Sequence, residues 1–160
     1  MYVDPWTPTL ETHRLMYRDL AAMAAVLMQM SFISPAMADQ AISCASLTVI
    51  DGDTIKCDGQ NMRLLGGGVP FKSGVDAPEI GSRAKCEAER LLALKAKARL
   101  KELLLSGIPR IEDSGARDKT SSRRPLINIY LADGREVGKV LMSEGLARPW
   151  SPKQRIDWCR

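Results

Sequence analysis

Two short acidic motifs hold the residues of this sequence that are best suited to chemistry. Val49-Ile50-Asp51-Gly52-Asp53-Thr54 and Val75-Asp76-Ala77-Pro78-Glu79 each set carboxylates at a bend that follows apolar, β-prone residues. Carboxylates are the strongest oxygen ligands that a protein offers to hard cations such as Ca²⁺ and Mg²⁺. Arg63 and the Arg123-Arg124 pair carry guanidinium groups that grip phosphate well. Together these residue types suggest the cleavage of phosphodiester bonds.

The N-terminal segment has the pattern of an export signal. Arg14 and Arg18 precede an apolar run over residues 21–33. Ala36 and Ala38 then form the small-x-small pattern of signal-peptidase sites. The run is shorter than the roughly 20 residues that a membrane-spanning helix needs. We therefore predict a signal peptide cleaved after Ala38, and a periplasmic or secreted protein with no stable membrane anchor. A buried or membrane-anchoring helix is the alternative.

Cleavage there divides the chain into an N-terminal extension with its signal peptide, residues 1–38, and one domain, residues 39–160. The whole chain has a formal net charge of +4, and residues 1–38 hold two basic and three acidic side chains. The mature domain therefore carries a net charge of about +5. Such a charge suits a polyanionic partner, although it is also ordinary for a soluble protein.

All four cysteines follow the predicted cleavage site: Cys44, Cys57, Cys86 and Cys159. Export permits disulfides, and four cysteines allow three pairings among which the sequence alone does not decide. The slightly favoured pairing joins Cys57 with Cys86 and Cys44 with Cys159. A zinc site is the rival interpretation, but the sequence has no Cys-x₂-Cys pair and its one histidine, His13, precedes the cleavage site.

Short β-prone runs separated by Asp-Gly turns predict a meander of three strands, followed by a helix and two further strands. The predicted strands span residues 46–50, 54–57, 62–65, 108–112 and 125–131. An Ala-, Leu- and Lys-rich segment predicts a helix from about Ser82 to Leu105, and Val137 to Leu141 mark a short helix that ends at Gly145.

This order of elements predicts an α+β, mainly β fold. We expect a five-stranded OB-type Greek-key barrel, with a helix between strands three and four and a short helix after strand five. A small α+β sandwich is the main alternative.

Several motifs of the predicted domain occur in the order seen in a known family. They are Ile50-Asp51-Gly52-Asp53-Thr54, Arg63-Leu64-Leu65-Gly66, Val75-Asp76-Ala77-Pro78-Glu79, Asp118-Lys119, Arg124-Pro125-Leu126 and Glu144-Gly145-Leu146-Ala147. The ordered set resembles the staphylococcal nuclease (thermonuclease) family. The resemblance implies an OB barrel that cleaves DNA and RNA with Ca²⁺, by attack on phosphorus and release of the 5′ oxygen.

The resemblance also implies a metal site and a residue that acts on water. Asp53, Asp76 and the backbone carbonyl of Ala77 are the expected calcium ligands, and Glu79 matches the residue that orients or deprotonates the attacking water. Ca²⁺ takes six to eight oxygen ligands, and these residues supply only three. Water and substrate must therefore complete the coordination shell. Pro78 disfavours helical backbone at the preceding residue, so the two acids of this motif lie around a bend.

The substrate contacts follow from the same resemblance. Arg63 and Arg124 match the pair that holds the scissile phosphate, with Arg123 as a competitor for the second place. Two guanidiniums can neutralise the charge that develops on a pentacoordinate phosphorus. Lys119 is a further candidate for binding a terminal phosphate, and Trp150 for stacking on a base.

The sequence departs from the family pattern in two places. Gly67 to Gly74 are inserted between the Arg63 motif and the second acidic motif. If the insert forms a loop, Arg63 keeps its orientation; if it shifts the strand register by one residue, Arg63 faces the other side. Thr120-Ser121-Ser122-Arg123 stands where the family has an aromatic-glycine step, so a stacking tyrosine is missing.

These observations favour an exported, monomeric, calcium-dependent nuclease that acts on single-stranded or denatured DNA and on RNA with low sequence specificity. One alternative is a catalytically silent OB module that binds single strands, and another is a secreted interaction domain. The acids also have ordinary readings, as turn formers, surface charges or helix starts. The complete set favours the nuclease, because a binding module has no need of Glu79.

Overall fold

Short strands are the most numerous elements in the part of the chain that the structure describes, because β-prone runs alternate there with turn residues. The computed structural model describes residues 40–160, so the predicted signal peptide and its cleavage site lie outside the described residues. The strands are β1 (Gln40–Ile42), β2 (Leu47–Val49), β3 (Thr54–Cys57), β4 (Gln60–Leu64), β5 (Gly74–Asp76), β6 (Arg110–Arg117), β7 (Pro125–Tyr130) and β8 (Arg148–Trp150). The helices are α1 (Glu87–Leu105) and α2 (Val137–Ser143), and Gly81–Arg83 form a single 3₁₀ turn.

The predicted meander is confirmed in β2, β3 and β4, which pair in antiparallel order. Asp58 and Gly59 make the turn between β3 and β4 with φ angles of 48° and 87°, a conformation that Asp-Gly adopts readily. The turn between β2 and β3 is closed by the N–H of Ile50, which donates to the carbonyl of Thr54 at 2.9 Å. The first acidic motif therefore lies at the end of a hairpin.

Six strands form one curled mixed sheet in the order β1-β6-β7-β4-β3-β2. All its pairings are antiparallel except that of β4 with β7, in which Arg63 lies opposite Leu126 and Leu64 opposite Ile127. β5 and β8 form a separate two-stranded sheet. The coarse prediction of an α+β, mainly β fold is thus confirmed.

The core lies between the curled sheet and the two helices. The fully buried side chains at its centre come from β3, β4, β7, α1 and α2: Ile55, Leu64, Ile127, Ile129, Leu100 and Leu141. Burying each large aliphatic side chain stabilises the fold by about 1.5–3 kcal/mol. This packing holds the strands whose ends carry the acidic motifs.

The predicted number of five strands was wrong: the described residues contain eight. The three strands that were missed, β1, β5 and β8, have only three residues each. Such short strands carry too few residues for an alternating pattern to emerge. β5 and β8 also pair with each other although Asp76 and its partner Arg148 lie far apart in the chain, and local sequence cannot indicate such a pairing.

The predicted start of the long helix at Ser82 was wrong by five residues, since α1 begins at Glu87 and ends at Leu105 as predicted. Cys86 caps the helix in an extended conformation, with its sulfur accepting from the N–H of Glu89 at 3.4 Å. The preceding 3₁₀ turn accounts for the apparent extension of the helical pattern. Among residues 40–160, no helix combines the length and the apolarity that crossing a membrane requires.

The favoured disulfide pairing was also wrong. The two disulfides join Cys44 with Cys57 and Cys86 with Cys159. The hairpin register places Leu47 opposite Cys57, which brings the residues just before β2 beside the end of β3. The second bond forms because the C-terminal tail returns to the N-terminus of α1.

Candidate metal and phosphate site

Three neighbouring strand ends bring the first candidate residues together. Asp53 directly precedes β3, Arg63 lies on β4 opposite Thr54, and Asp76 ends β5. Nη2 of Arg63 lies 2.9 Å from Oδ2 of Asp53 and 3.4 Å from Oδ1 of Asp76. One guanidinium nitrogen therefore bridges carboxylates from both acidic motifs, at a position where their combined field favours positive charge.

The Gly67–Gly74 insert leaves this arrangement intact because it forms a loop. Gly74 begins β5, and the residues before it turn back on themselves. The N–H of Val69 donates to Oγ of Ser73 at 2.9 Å, which closes the loop. Of the two outcomes considered for the insert, the structure has the one in which Arg63 faces the acids.

The two carboxylates are poorly solvated. Burial raises the pKa of Asp53 to about 6, against the attraction of Arg63 and with a further rise from the charge of Asp51. Burial also raises the pKa of Asp76, although a hydrogen bond from Trp158 and the charge of Arg63 oppose that rise. Desolvation thus outweighs the attraction of Arg63 at each carboxylate, and a bound cation would favour the ionised form of each.

Arg124 reaches the same group of residues from the other side. Its Nε lies 2.7 Å from Oδ2 of Asp118, and its Nη1 donates to Oγ1 of Thr54 at 3.2 Å. That hydroxyl in turn donates to Oδ1 of Asp53 at 2.9 Å. Arg123, in contrast, lies exposed on the preceding turn with a φ of 47°. The structure therefore brings Arg124, and not Arg123, next to the acids.

Glu79 lies at the solvent-facing rim of the site. Its Oε2 lies 2.9 Å from Nε of Arg83, and its side chain is 47% exposed. Nη2 of Arg83 also lies 3.4 Å from Oδ2 of Asp51, whose Oδ1 accepts from the N–H of Asp53 at 3.2 Å. A chain of polar contacts thus links Glu79, through Arg83 and Asp51, to the backbone N–H of Asp53. The Glu79 carboxylate itself stays accessible to water.

Ala77 is packed tightly beneath the site. It is 6% exposed, and a Cβ built on Gly52 would lie 2.8 Å from the Cβ atoms of both Ala77 and Ala96. The two acidic motifs can approach this closely only because position 52 has no side chain. Asp53, Asp76 and the main chain at Ala77 are consequently the groups that could hold a cation. The buried carboxylate of Asp53 and the partly exposed carboxylate of Asp76 form a donor set suited to Ca²⁺.

A cavity of about 420 Å³ opens beside Arg63 and contains both of the weaker substrate candidates, Lys119 and Trp150. Phe71 of the insert also lines it, and Nζ of Lys119 lies 5.2 Å from the centre of the Phe71 ring. Asp118, the partner of Arg124, also lines this cavity. A cation and two aromatic rings beside a guanidinium are groups that could bind a nucleotide.

Three residues of this neighbourhood were missed by sequence reasoning. Arg83 follows Glu79 by four residues, the spacing of a helical ion pair, so its partner could have been found. Phe71 lies in an insert without regular pattern, and Trp158 lies in a short tail. Neither aromatic residue gave a signal that would place it near the acids.

Cys86, Glu89 and Cys159 form a second cluster of potential ligand atoms among the described residues. Both sulfurs belong to one disulfide, so they offer no thiolate. Glu89 accepts from the N–H groups of Lys85 at 2.6 Å and Glu79 at 3.3 Å, and this cluster therefore supports the backbone.

Comparison of the sequence with models of protein families and with curated proteins finds no match. Membership of the staphylococcal nuclease family therefore remains a prediction, carried by the ordered motifs.

Proposed function

We propose that this chain is an exported, calcium-dependent nuclease of the staphylococcal nuclease type, which hydrolyses phosphodiester bonds of DNA and RNA with low sequence specificity. The observation that carries the proposal is the contact of Arg63 with both Asp53 and Asp76, with Arg124 joined to them through Thr54. These residues come from separate strands, and ordinary turn-forming or surface acids have no reason to converge on one arginine.

The finer fold belongs to the same proposal. We propose that the curled sheet is an OB-type Greek-key barrel, and the three-stranded meander followed by the parallel pairing of β4 with β7 supports it. In such a barrel, nucleic acid lies along the strand ends that carry the acidic motifs. We also propose that the protein is a monomer in the periplasm or outside the cell, and two disulfides are consistent with that setting.

Asp53, Asp76 and the carbonyl of Ala77 would hold the cation. When bound, Ca²⁺ would polarise a phosphoryl oxygen and attract the substrate phosphate. Arg63 lies between the two carboxylates and contacts both. We expect its guanidinium to leave them for the scissile phosphate, since Asp53 and Asp76 then face a different positive charge.

Arg124 supplies the second guanidinium. Asp118 holds it through Nε, while Nη1 points toward Thr54 and thus toward the acids. An arginine fixed by one carboxylate can donate its remaining N–H groups to phosphate with little further loss of conformational entropy. Burial alone would raise the pKa of Asp118, but hydrogen bonds from Thr120 and Arg124 outweigh it and lower the pKa. Asp118 is therefore a stable anion at neutral pH.

Glu79 would orient and deprotonate the water that attacks phosphorus. Its exposed carboxylate can reach a water molecule, and Arg83 fixes its position from the other side. The cavity with Lys119, Trp150 and Phe71 would take the neighbouring nucleotide, with its base against an aromatic ring.

A nuclease assay on the exported protein with and without Ca²⁺ tests the proposal. We expect degradation of denatured DNA and of RNA that EDTA abolishes. Glu79→Gln lowers kcat by about 10²- to 10⁴-fold, because it removes the base. Glu102→Gln, at an exposed acid on α1, serves as the control and leaves kcat unchanged. Folded protein that binds single strands without cleaving them at any Ca²⁺ concentration would point to the silent binding module instead.

A further inference from the structure

The C-terminal tail reaches the candidate metal site through one side chain. Trp158 is 7% exposed, and its Nε1 donates to Oδ2 of Asp76 at 3.3 Å. The other oxygen of that carboxylate, Oδ1, faces Arg63 at 3.4 Å. The indole thus takes one oxygen of Asp76 and leaves the other directed into the site.

Several contacts hold the Trp158 ring in this place. The guanidinium of Arg148 lies over the ring at 4.5 Å from its centre, and Nη1 of Arg148 donates to the carbonyl of Asp157 at 2.7 Å. Arg148 itself lies opposite Asp76 in the β5–β8 pair. The next residue in the tail, Cys159, is bonded to Cys86.

The far end of that disulfide supports the second half of the same motif. Cys86 caps α1, and its sulfur accepts from the N–H of Glu89. The buried carboxylate of Glu89 accepts from the N–H of Glu79 at 3.3 Å. The Cys86–Cys159 disulfide thus connects two groups that contact this motif. On one side Trp158 donates to Asp76, and on the other Glu89 accepts from the N–H of Glu79.

We propose that Trp158 is a positioning residue that orients the Asp76 carboxylate for cation binding, and that the Cys86–Cys159 disulfide is the clasp that holds Trp158 there. The inference rests on the proposed function, because it assumes that Asp76 binds a cation. A hydrogen bond to one carboxylate oxygen restricts rotation of the group, so the free oxygen needs no further ordering when the cation arrives. Removal of such an outer partner typically weakens metal affinity by about 10- to 100-fold.

The test is a titration of the full chain, expressed for export so that both disulfides form, with Ca²⁺ followed in ¹⁵N–¹H spectra. Trp158→Phe keeps an aromatic ring under Arg148 but removes the donor, and we expect the Kd for Ca²⁺ to rise about tenfold. Trp158→His places a ring N–H at the same distance from Cβ, and we expect it to recover most of the affinity at pH 8. The indole N–H resonance of Trp158 shifts in Asp76→Asn without any metal.

A matched pair of disulfide variants tests whether the Cys86–Cys159 disulfide holds Trp158 in place. Cys86→Ser with Cys159→Ser weakens Ca²⁺ affinity about as much as Trp158→Phe. Cys44→Ser with Cys57→Ser removes the other disulfide and leaves the affinity within about twofold of the wild type, below the effect of an outer partner. Both variants are titrated well below their melting temperatures, with folding checked by the dispersion of the same spectra.

Each outcome bears on the inference. If the wild type binds Ca²⁺ and cleaves nucleic acid, and Trp158→Phe binds Ca²⁺ with equal affinity, the inference is overturned and the proposed function stands. Equal losses of Ca²⁺ affinity in Trp158→Phe and Trp158→His would show that Trp158 serves packing alone, and this result would also overturn the inference. A wild-type protein that binds no Ca²⁺ overturns both.

Discussion

Arg63 is the residue on which the candidate site depends, because it contacts an acid from each motif with one nitrogen. Burial alone would lower the pKa of Arg63, but Asp53 and Asp76 outweigh burial and raise it, so the side chain is charged at every accessible pH. The Arg63 guanidinium is therefore a positive charge beside both carboxylates, and a metal ion would have to compete with it. In the proposed function, Arg63 would consequently weaken metal binding while it assists catalysis.

Arg63→Gln should separate these two effects. We expect kcat to fall about 10²- to 10³-fold, as when one preorganised donor to a transition state is lost. Ca²⁺ affinity should become tighter by about 1 kcal/mol, since a unit positive charge beside the metal is removed. Steady-state kinetics and a Ca²⁺ titration measure the two quantities. Arg135→Gln, at an exposed arginine paired with Asp133, is the control and should change neither. Weaker Ca²⁺ binding in Arg63→Gln would contradict the idea that the Arg63 guanidinium competes with Ca²⁺ for the two carboxylates.

The buried Asp53 makes a prediction about pH. Its pKa is raised from 3.8 in the unfolded chain to about 6 in the folded protein, chiefly by burial. The folded state thus holds this proton more tightly, and ionisation of Asp53 destabilises it as the pH rises from about 4 to 6. In EDTA, the free energy of unfolding of wild type minus that of Asp53→Asn should fall by about 2–3 kcal/mol over this range.

Urea unfolding at several pH values measures this difference, and a constant difference between pH 4 and pH 7 would contradict the raised pKa. Added Ca²⁺ should remove the penalty, because it favours the carboxylate. For the same reason, the apparent Ca²⁺ affinity should fall by up to about tenfold per pH unit below the pKa of Asp53, where one proton competes with the metal.

At the scale of elements, the β2–β3 turn and α1 approach each other through small residues. Gly52 lies against Ala77 and Ala96, with no room for a further methyl group. Gly52→Ala should lower the free energy of unfolding by about 1–3 kcal/mol through overpacking. Gly107→Ala is the matched control: its Cβ would lie 3.7 Å from that of Ala132, at an ordinary contact distance, so stability should stay within about 0.5 kcal/mol. Urea unfolding distinguishes the two, and equal effects would contradict the packing argument.

The insert between β4 and β5 offers a separate element-scale prediction. Phe71 has a φ of 63°, a conformation that is costly for a bulky residue, yet its ring lies at the cavity over Lys119. Phe71→Gly should relieve the backbone and leave stability unchanged or higher. The same change should raise KM for single-stranded oligonucleotides about fivefold or more, since a base loses its stacking surface.

Val69→Ala, at an exposed residue of the same loop, is the control for Phe71→Gly and should leave KM unchanged. A lower stability with unchanged KM in Phe71→Gly would show that the ring serves the fold alone.

At the scale of the whole molecule, the two disulfides close loops of very different length, with separations of 13 and 73 residues. In the chain-entropy account, a loop of the first size contributes about 3 kcal/mol and one of the second about 4 kcal/mol. Replacing Cys86 and Cys159 by Ser should therefore lower the free energy of unfolding more than replacing Cys44 and Cys57. Denaturant unfolding of the two double variants tests the order, and a larger loss from the short loop would contradict it.

Sequence reasoning located the parts of the fold that local patterns determine. The Asp58-Gly59 turn and the β-prone residues of β3 and β7 indicated strands at nearly their observed positions. β5 and β8 could not be found, because three-residue strands have little pattern and their pairing depends on distant residues. The predicted disulfide pairing was wrong for the same reason, since the true pairing depends on where the C-terminal tail lies in the fold.

The candidate site was predictable in its residues more than in its connections. The motifs identified Asp53, Arg63, Asp76 and Arg124, which the structure brings together. The partner that fixes Arg124 and the hydroxyl that joins it to Asp53 depend on strand register across the sheet. Side-chain contacts of that kind follow from packing, which a single sequence does not reveal.

The parallel alignment of β4 with β7 determines when these groups can meet. More than sixty residues separate Arg63 from its partner Leu126 in the chain. Pairings between such distant residues form late, because the loss of chain entropy opposes them. A polypeptide still emerging from the ribosome lacks β7 and Arg124, so it cannot assemble the cluster. For the proposed nuclease, which would attack RNA, delayed assembly would protect the messages from which it is translated.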